Sequence, residues 1–547
     1  MELFVASNIH LYIAIALSIG NGIMLCFAAY KFFQIIQLTG YKVKGYFLWL
    51  RDTKAKYIFR ITMLAFLSTT CTCVVNVLFH NFNQDFLFTY LGLIFYVFFT
   101  IMFINNLYSA PKKIPLKNTS RMSRLNVLCA IGIAAVSFGV IALAYTLIPM
   151  PYTHYAFSFL ALTPLMLPIL VPIVHLILVP VENMITQRYL LEAKFRLKRR
   201  PDLIKIAITG SYGKTSTKYM LNSILSKKYN VCMTPHSFNT LNGVAKVVND
   251  YLKPENDLLI VEMGARNVGD IKDLTDFVNP KYAIITNVGS QHMLSFGSAE
   301  NIEKTKYELI EGLPQDGYAV FAGENEGAYR LYEKCPVRKS VVGNVDGSKI
   351  TVSRIRIGKK GTSFTLVISG VEHKFSTKLV GKHNVANLLL CIDMALELGL
   401  DIEQIKQAAA DLKPVPHRLE IIESKKDVTI LDDSYNASVE GAEAALEVLG
   451  KFSKNRIVVS PGLVELGKIE KQENYNFGQK LTKVADYIII VNRVNLDSIK
   501  AGVESCGYDM SKVFCVDTLN EAKVKLAEIA KPGDTVLFEN DLPDNYI

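Results

Sequence analysis

The sequence predicts a membrane bundle of α-helices followed by a soluble α/β part with two domains. Half of the 547 residues are apolar and the mean hydropathy is +0.23, yet nearly all the long uncharged apolar runs lie before residue 182. From Pro201 onward, short apolar strands alternate with helical stretches, which is typical of parallel α/β layers. A chain of this length accommodates about three domains of ordinary size.

Five apolar runs are long enough to cross a membrane. About twenty apolar residues, rising about 1.5 Å each, span a hydrocarbon layer of roughly 30 Å. The predicted spans cover approximately residues 11–36, 59–78, 86–107, 125–148 and 156–181. Residues 1–182 are therefore predicted to form a transmembrane domain. The first run lacks a basic leader and a small-residue cleavage site, which favours a retained span over a signal peptide.

The charge of the connecting segments predicts the orientation of the bundle. Lys and Arg fill the first and third connections and the segment that follows the fifth span, whereas the second and fourth connections contain neither. By the positive-inside rule, the N-terminus faces outward and everything after residue 182 faces the cytoplasm. Residues 183–202 are predicted to be a basic linker. The net charge of +10 is attributed to these segments, and no nucleic-acid partner is expected.

Other functions of the bundle are disfavoured by its composition. The spans contain almost no ionisable residues, whereas a transporter is expected to carry charge near mid-membrane. Residues 46–50 around Trp49, the sole tryptophan, are predicted to lie at the lipid headgroups. None of the nine cysteines has metal-ligand or redox spacing, which fits a reducing compartment. The bundle is thus predicted to be an anchor or a cradle for a lipid-borne substrate.

The soluble part divides near Pro414 and Pro416. A central domain, residues 203–413, is predicted from apolar strands at 204–209, 258–263 and 282–288, helices at 215–227, 302–313 and 384–398, and an antiparallel stretch at 361–379. A smaller Rossmann-like α/β domain, residues 414–547, is predicted from strands at 428–431, 456–460, 487–491 and 535–538.

The segment 209–216 has the features of a phosphate-binding loop, since it lies between a predicted strand and the start of a helix. Glycines allow backbone N–H groups to approach phosphate oxygens, a lysine adds a positive charge, and a hydroxyl can hold Mg²⁺. Ile208 stands where the common eight-residue pattern has its first glycine, so the loop is a shortened form. The predicted ATP-binding residues here are Gly210, Ser211, Tyr212, Gly213, Lys214, Thr215 and Ser216.

Seven further segments follow this loop in order, and together they resemble the Mur ligase family over residues 203–540. They are residues 237–243, 261–265, 286–292, 304–308, 381–387, 417–420 and 432–437. Within the family, the similarity is to the members that add D-alanyl-D-alanine to the muramoyl tripeptide. The resemblance implies an ATP-dependent ligase that activates a carboxylate as an acyl phosphate and then joins it to an amine, releasing ADP and phosphate. It also implies that the predicted spans lie in the cytoplasmic membrane of a bacterium.

The resemblance also implies the roles of individual residues. It gives catalytic roles to Lys214, Glu262, His292, Lys306 and Arg418, and two Mg²⁺ ions held by Thr215, Glu262, His292 and a carbamylated Lys306. Without it, Glu262 would be read as a surface glutamate, His292 as a core histidine and Lys306 as an exposed lysine, although the first two follow strands where α/β sheets place ligands. The further nucleotide contacts that it implies are Asn325, His383, Asn384, Asn387, Arg418 and Asp433.

Two departures from the family leave the substrates open. Soluble members begin with a uridine-nucleotide-binding domain where this chain has its predicted spans, and residues 537–543 replace a Lys-Gly-Ser-Arg segment. We therefore expect a lipid-linked or membrane-associated carboxylate acceptor, and an amino acid or short peptide as the amine. Ordinary D-alanyl-D-alanine addition in peptidoglycan precursor synthesis is the first alternative. A membrane ATPase or a non-catalytic partner is the second, disfavoured by the retained Glu262, His292 and Lys306 and by the scarcity of charge in the spans.

Overall fold

The chain forms two compact units, Met1–Gln187 and Arg188–Ile547, in a computed structural model. The structure describes residues 2–52, 56–79, 85–109, 115–148, 152–289, 293–358, 361–424, 427–435 and 438–541. Each unit has apolar cores of its own.

The first unit is helical. Its helices are α1 (Glu2–Ala28), α2 (Tyr30–Leu38), α3 (Val43–Asp52), α4 (Lys56–Phe79), α5 (Asp85–Ser109), α6 (Ser120–Leu147), a 3-10 helix (Tyr152–Met166) and α7, which covers Leu167–Lys198. Within the described ranges, five helical stretches are long and apolar enough to cross a membrane: Ile9–Ala28, Tyr57–Val75, Leu91–Ser109, Ser120–Leu147 and Tyr155–Lys198. The predicted class of a bundle with five apolar helices is confirmed, while its orientation stays a prediction.

Close helix contacts and a buried polar network hold this bundle together. A Cβ atom on Gly22 of α1 would lie 2.5 Å from the carbonyl oxygen of Ala130 on α6, so glycine permits the close approach. The Asn21 amide donates to Ser137 Oγ at 2.9 Å and to Thr163 Oγ1 at 2.8 Å. Its carbonyl oxygen accepts from the Tyr96 hydroxyl at 2.6 Å. These polar groups therefore satisfy one another inside an apolar bundle.

Three sequence expectations for this part differ in detail from the structure. The predicted first span, 11–36, is divided at Ala29 between α1 and α2. The predicted linker 183–202 is helical as far as Lys198, because its Leu, Glu, Ala, Lys and Arg residues favour a helix until Pro201. The segment around Trp49 forms α3, in which Tyr46 is buried and donates to the Pro168 carbonyl at 2.9 Å.

The central domain of the second unit is built on a mixed sheet. Its strands are β1 (Ile204–Thr209), β2 (Val231–Met233), β3 (Leu258–Glu262), β4 (Tyr282–Ile285), β5 (Tyr318–Ala322), β6 (Arg338–Val342), β7 (Ile350–Gly358), β8 (Gly361–Ile368) and β9 (Val371–Thr377). Among the described residues the strand order is β2-β3-β1-β4-β5-β6-β7-β8-β9. The strands β1–β7 pair in parallel, and β8 pairs with both β7 and β9 in antiparallel fashion.

Helices cover both faces of this sheet. They are α8 (Lys214–Leu225), α9 (Leu241–Asp250), α10 (Asp270–Val278), α11 (Met293–Phe296), α12 (Ala299–Glu311), α13 (Glu326–Lys334), α14 (Lys382–Glu397) and α15 (Ile402–Asp411). Two apolar clusters result: one joins the sheet to α8, α14 and α15, and the other joins it to α9, α10, α12 and α13. The carboxyl ends of β1, β3 and β4 thereby meet at one sheet edge, where ligands bind in folds of this kind.

The C-terminal domain has a smaller sheet. Its strands are β10 (Glu420–Glu423), β11 (Thr429–Asp433), β12 (Arg456–Ser460), β13 (Tyr487–Val491), β14 (Val513–Val516) and β15 (Thr535–Glu539). The order in the described part is β10-β11-β15-β12-β13-β14, with only β10 antiparallel. Its helices are α16 (Val439–Leu449), α17 (Glu470–Val484), α18 (Leu496–Ser505) and α19 (Leu519–Ile529). The predicted class of two α/β domains is confirmed.

Candidate active site

The predicted phosphate loop connects β1 to α8 and requires glycine at two positions. Gly213 has φ +80°, a left-handed conformation, and a Cβ atom there would lie 2.7 Å from Asn387 Oδ1. Gly210 packs so closely against Thr286 that a Cβ atom would overlap its hydroxyl. The segment after β4 also braces the loop, because Asn287 Oδ1 accepts from the Tyr212 N–H at 2.7 Å.

The lysine of this loop folds back onto the loop itself. Lys214 Nζ donates to the carbonyl oxygens of Gly210 at 2.6 Å and Ser211 at 2.9 Å. Burial lowers the pKa of Lys214 to about 8, although the nearby charge of Glu262 favours the ammonium. A phosphate oxygen would offer this ammonium a stronger acceptor than two carbonyl oxygens.

A cavity of about 440 Å³ brings most of the predicted site residues together, and both domains of the second unit contribute to it. Its volume is within the usual range for small-molecule sites. The predicted site residues that line it are Ser211, Tyr212, Gly213, Lys214, Thr215, Ser216, Glu262, Lys306, His383, Asn384, Asn387, Arg418 and Asp433. Gly210 and Asn325 do not line it, and His292 lies outside the described residues.

Glu262 ends β3 and is almost completely buried, with three donors on its carboxylate. Its Oε2 accepts from Thr215 Oγ1 at 3.1 Å and from Lys218 Nζ at 2.9 Å, and its Oε1 accepts from Asn239 Nδ2 at 3.1 Å. Desolvation by burial opposes ionisation, but the charges of Lys218 and Lys214 outweigh it and hold the pKa of Glu262 below its ordinary value. The carboxylate is therefore ionised and fixed in direction.

These oxygens fit one hard cation beside a phosphate. Mg²⁺ binds oxygen ligands at about 2.0–2.1 Å in an octahedron and retains water or phosphate ligands. Adjacent ligands are then about 3 Å apart, close to the 3.1 Å between Thr215 Oγ1 and Glu262 Oε2. In the part of the chain that the structure describes, no group of three or more His, Cys, Asp or Glu side chains forms an all-protein metal cage. A second Mg²⁺ stays a prediction.

Lys306 lies on α12, is buried, and forms no ion pair or hydrogen bond among the described residues. Burial, together with the charge of Lys214, lowers the pKa of Lys306 to about 7. A large fraction of this side chain is therefore the neutral amine at neutral pH. The neutral amine is the form that adds CO₂, so the environment suits carbamylation. The sequence pattern without the family would have placed this lysine on the surface, and the structure corrects that reading.

Arg418 lies between two residues with left-handed backbones, His417 at φ +62° and Leu419 at φ +50°. Its guanidinium is 4.4 Å from the centre of the Tyr435 ring. The Tyr435 hydroxyl is 2.5 Å from Ser237 Oγ of the central domain. The ring therefore supports Arg418 while its hydroxyl connects the two domains at the cavity.

The half-buried Asp433 and the buried Glu539 form a pair of carboxyl groups at the ends of β11 and β15, where they are register partners. Burial raises the pKa of Asp433 to about 6, in spite of Arg418, and Asp433 Oδ1 accepts from the Leu419 N–H at 3.1 Å. Burial, and then the charge of Asp433, raise the pKa of Glu539, whose carboxylate has no hydrogen-bond partner in the described structure. The altered segment 537–543 thus places Glu539 directly beside the predicted nucleotide residue Asp433.

Of the remaining predicted nucleotide contacts, three line the cavity and one does not. His383, Asn384 and Asn387 lie at the start of α14 on the cavity wall, and burial lowers the pKa of His383 to about 4, so its ring is neutral. Asn325 is instead the N-cap of α13, where its Oδ1 accepts from the Val288 and Ala328 N–H groups, both at 2.9 Å. Its contact with adenine stays a prediction.

Three residues of the site have no role in the sequence reading. Lys218 and Asn239 bind Glu262, and Tyr435 supports Arg418. The helical spacing of four residues between Lys214 and Lys218 was an available signal, because it places both lysines on one face of α8. Asn239 and Tyr435 belong to segments that the resemblance singles out, but their partners depend on tertiary contacts.

Comparisons with known proteins agree with this architecture. Residues 208–395 match the Mur ligase middle domain, and residues 417–539 match the Mur ligase glutamate ligase domain. The chain is 33% identical over 339 residues to the UDP-N-acetylmuramoyl-tripeptide–D-alanyl-D-alanine ligase of Bacillus subtilis, covering 61% of this chain and 72% of that protein. It is 34% identical over 271 residues to the enzyme of the same name from Escherichia coli, covering 48% of this chain and 58% of that protein.

Solved structures show the same likeness. The MurF ligase of Thermotoga maritima in complex with ADP matches with a TM-score of 0.59 and 25% identity, covering 65% of this chain and 80% of that one. MurF from Acinetobacter baumannii matches with a TM-score of 0.59 and 25% identity, covering 65% and 77%.

Proposed function

The chain belongs to the Mur ligase family of ATP-dependent carbon–nitrogen ligases, and from this premise we propose that it is a membrane-anchored amide ligase of cell-envelope synthesis. It activates a carboxylate with ATP and couples it to an amino acid or short peptide. The observation that carries the proposal is the convergence of the phosphate loop, Glu262, Lys306 and Arg418 on one cavity.

The cavity supplies positive charge where two anions must meet. A substrate carboxylate oxygen attacks the γ-phosphorus and the bond to ADP breaks, which gives an acyl phosphate. The amine then attacks the acyl carbon, phosphate leaves, and the nitrogen loses a proton. Lys214 and Arg418 offset the phosphate charge during transfer. Mg²⁺, when bound at Thr215 and Glu262, supplies further neutralisation of that charge.

Two positioning tasks fall to other residues. Carbamylation converts the side chain of Lys306 from a neutral or cationic amine into an anion. In this form Lys306 would serve as a ligand of a second Mg²⁺. Tyr435 holds the guanidinium of Arg418 and contacts Ser237 across the two domains. Closure of the two domains over bound substrates would exclude water, which hydrolyses an acyl phosphate.

Two acceptors are supported by different observations. The tripeptide acceptor and the D-alanyl-D-alanine amine are supported by the printed names of the relatives in Bacillus subtilis and Escherichia coli. A lipid-linked or membrane-associated carboxylate is supported by the five apolar helices, which precede the matched residues 208–395. The alternation of charge in the connections supports an outward N-terminus and a cytoplasmic catalytic part.

The test uses the full chain in detergent micelles with ATP and Mg²⁺. It measures ADP release and amide formation with D-alanyl-D-alanine and other amines, each with the soluble muramoyl tripeptide nucleotide or with its lipid-linked counterpart. We expect ADP and amide in equal amounts, and loss of both in Lys214→Met. Lys228→Met is the control, because Lys228 bonds carbonyl oxygens of Leu398 and Gly399 outside the cavity. ADP release that is indifferent to every amine and acceptor would instead favour an ATPase.

A further inference from the structure

A second lysine on α8 is buried directly beneath the candidate active site. The side chain of Lys218 is fully buried, and its Nζ lies 2.9 Å from Glu262 Oε2 and 2.5 Å from the carbonyl oxygen of His236. A buried ammonium is retained only where acceptors replace its water. Lys218 therefore has a defined partner in Glu262 rather than a solvent-facing role.

Three donors of this chain bind the carboxylate of Glu262. Lys218 and Thr215 share Oε2, and Asn239 holds Oε1. Lys218 is the charged donor among the three, so it balances the charge of the glutamate within the buried site. The ion pair fixes both the charge and the direction of the carboxylate before any ligand binds.

This arrangement changes what Glu262 can offer to a cation. A divalent ion on Glu262 would approach Lys218 Nζ to within about 5 Å, the sum of the 2.9 Å ion pair and a metal–oxygen bond of about 2.1 Å. The neutral pair therefore attracts a cation weakly. Lys214 and Arg418 add further positive charge at the cavity. The phosphates of a nucleotide would reverse this balance, because they bring several negative charges.

We propose that Lys218 is a positioning residue, the resident counter-ion of Glu262, which makes binding of a divalent cation depend on prior binding of nucleotide. The inference rests on the proposed ligase function and deepens it by giving the site an order of binding. Empty protein would hold little metal, and the cation would enter with ATP.

The test measures binding of Mn²⁺ to the full chain in detergent micelles by the loss of the free-ion electron paramagnetic resonance signal, with and without the non-hydrolysable analogue AMP-PNP. The variants are Lys218→Met, which removes charge and hydrogen bonds, and Lys218→Gln, which keeps a donor but removes the charge. The control is Lys349→Met. Lys349 Nζ lies 3.1 Å from the buried Asp393 Oδ1, and neither residue lines the cavity, so this variant also leaves a buried carboxylate without its cation.

We expect Mn²⁺ affinity without nucleotide to rise about tenfold or more in both Lys218 variants, since removing a unit positive charge about 5 Å from a divalent ion has this effect even at the dielectric constant of water. The increase in Mn²⁺ affinity on adding AMP-PNP should therefore be smaller in the two Lys218 variants than in the wild type. Lys349→Met should match the wild type in both measurements. Unchanged or weaker binding without nucleotide in a folded variant would overturn the proposal. So would failure of both variants to fold, since Lys218 would then serve stability alone.

Failure of the proposed function has a different signature. If wild-type chain with AMP-PNP takes up no more Mn²⁺ than the nucleotide alone, the cavity is not a metal-assisted ATP site. That result concerns the wild type, whereas the inference about Lys218 depends on the difference between wild type and variants without nucleotide.

Discussion

Replacing Lys306 with methionine should stabilise the second unit while abolishing ligase activity. The side chain is buried without an anionic partner in the described structure, so the folded chain disfavours its ammonium form. Methionine has a similar length and no charge. A buried group held away from its preferred ionisation state is a source of instability that function can require.

The magnitude follows from the pKa of Lys306, which falls from 10.5 to about 7. Each pH unit corresponds to about 1.36 kcal/mol, so the folded state loses about 5 kcal/mol at pH 7 and below. Because the folded pKa is the lower one, this loss is complete below pH 7, shrinks as the pH rises, and vanishes above pH 10.5. The advantage of Lys306→Met should therefore decrease by about 2 kcal/mol between pH 7 and pH 9.

The assay is thermal unfolding of the full chain in detergent, in buffers stripped of CO₂, at pH 7 and pH 9. Lys306→Met should raise Tm by roughly 10 °C at pH 7 and by clearly less at pH 9. Lys304→Met, an exposed position on the same helix, should change stability by less than about 0.5 kcal/mol. Added bicarbonate should stabilise the wild type only. A variant less stable than wild type at pH 7, or a difference that does not depend on pH, would refute the reasoning.

Three further predictions test other parts of the structure. Gly213→Ala should destabilise the second unit by about 2–4 kcal/mol and weaken binding of a fluorescent ATP analogue, because the new Cβ atom meets Asn387 and the backbone at Gly213 is left-handed. Gly269→Ala, at φ +96° with open space around the new Cβ atom, should destabilise it by only about 1 kcal/mol, and equal effects of the two variants would contradict this reasoning. Tyr435→Phe removes the hydroxyl but keeps the ring beside Arg418, and it should lower kcat by less than about tenfold. Tyr435→Ala removes the ring as well and should lower kcat further, and equal kcat values of the two variants would show that the ring does not position Arg418. Gly22→Val should overpack α1 against α6, destabilise the helical unit by about 1–3 kcal/mol and so lower its melting temperature. Gly20→Val should leave the melting temperature unchanged, because a Cβ atom on Gly20 has no atom within 4 Å, and the reverse order of the two variants would contradict the helix packing.

The sequence was most informative where the signal is local. The strand, glycines, lysine and helix of the phosphate loop are contiguous, and the structure places them at β1 and α8. The apolar runs of the first unit were equally readable, because length and hydropathy are local properties. The break at Ala29 depends on packing and was not readable, whereas the helical continuation to Lys198 follows from the helix-favouring residues before Pro201 and was a local signal that the linker prediction missed.

The side-chain contacts within the site could not be predicted from local sequence patterns. Glu262 was expected as a metal ligand, yet its pairing with Lys218 requires α8 and β3 to meet, 44 residues apart in the chain. The low pKa of Lys306 follows from burial, which a polar helix sequence does not reveal. Short strands such as β2 and β10 are too brief to give a periodic signal. Left-handed backbones flank Arg418 at His417 and Leu419, and although histidine is enriched in this conformation, leucine is not a residue type that marks such turns.

The central claim is that ATP activates a carboxylate at this cavity, and isotope transfer tests it most directly. The full chain in detergent is supplied with ATP, Mg²⁺, D-alanyl-D-alanine and a muramoyl tripeptide, soluble or lipid-linked, whose terminal carboxylate carries ¹⁸O at both oxygens. An acyl phosphate route predicts one ¹⁸O atom in the released phosphate for each amide formed. Phosphate without ¹⁸O, or ADP formed without amide, would contradict the account.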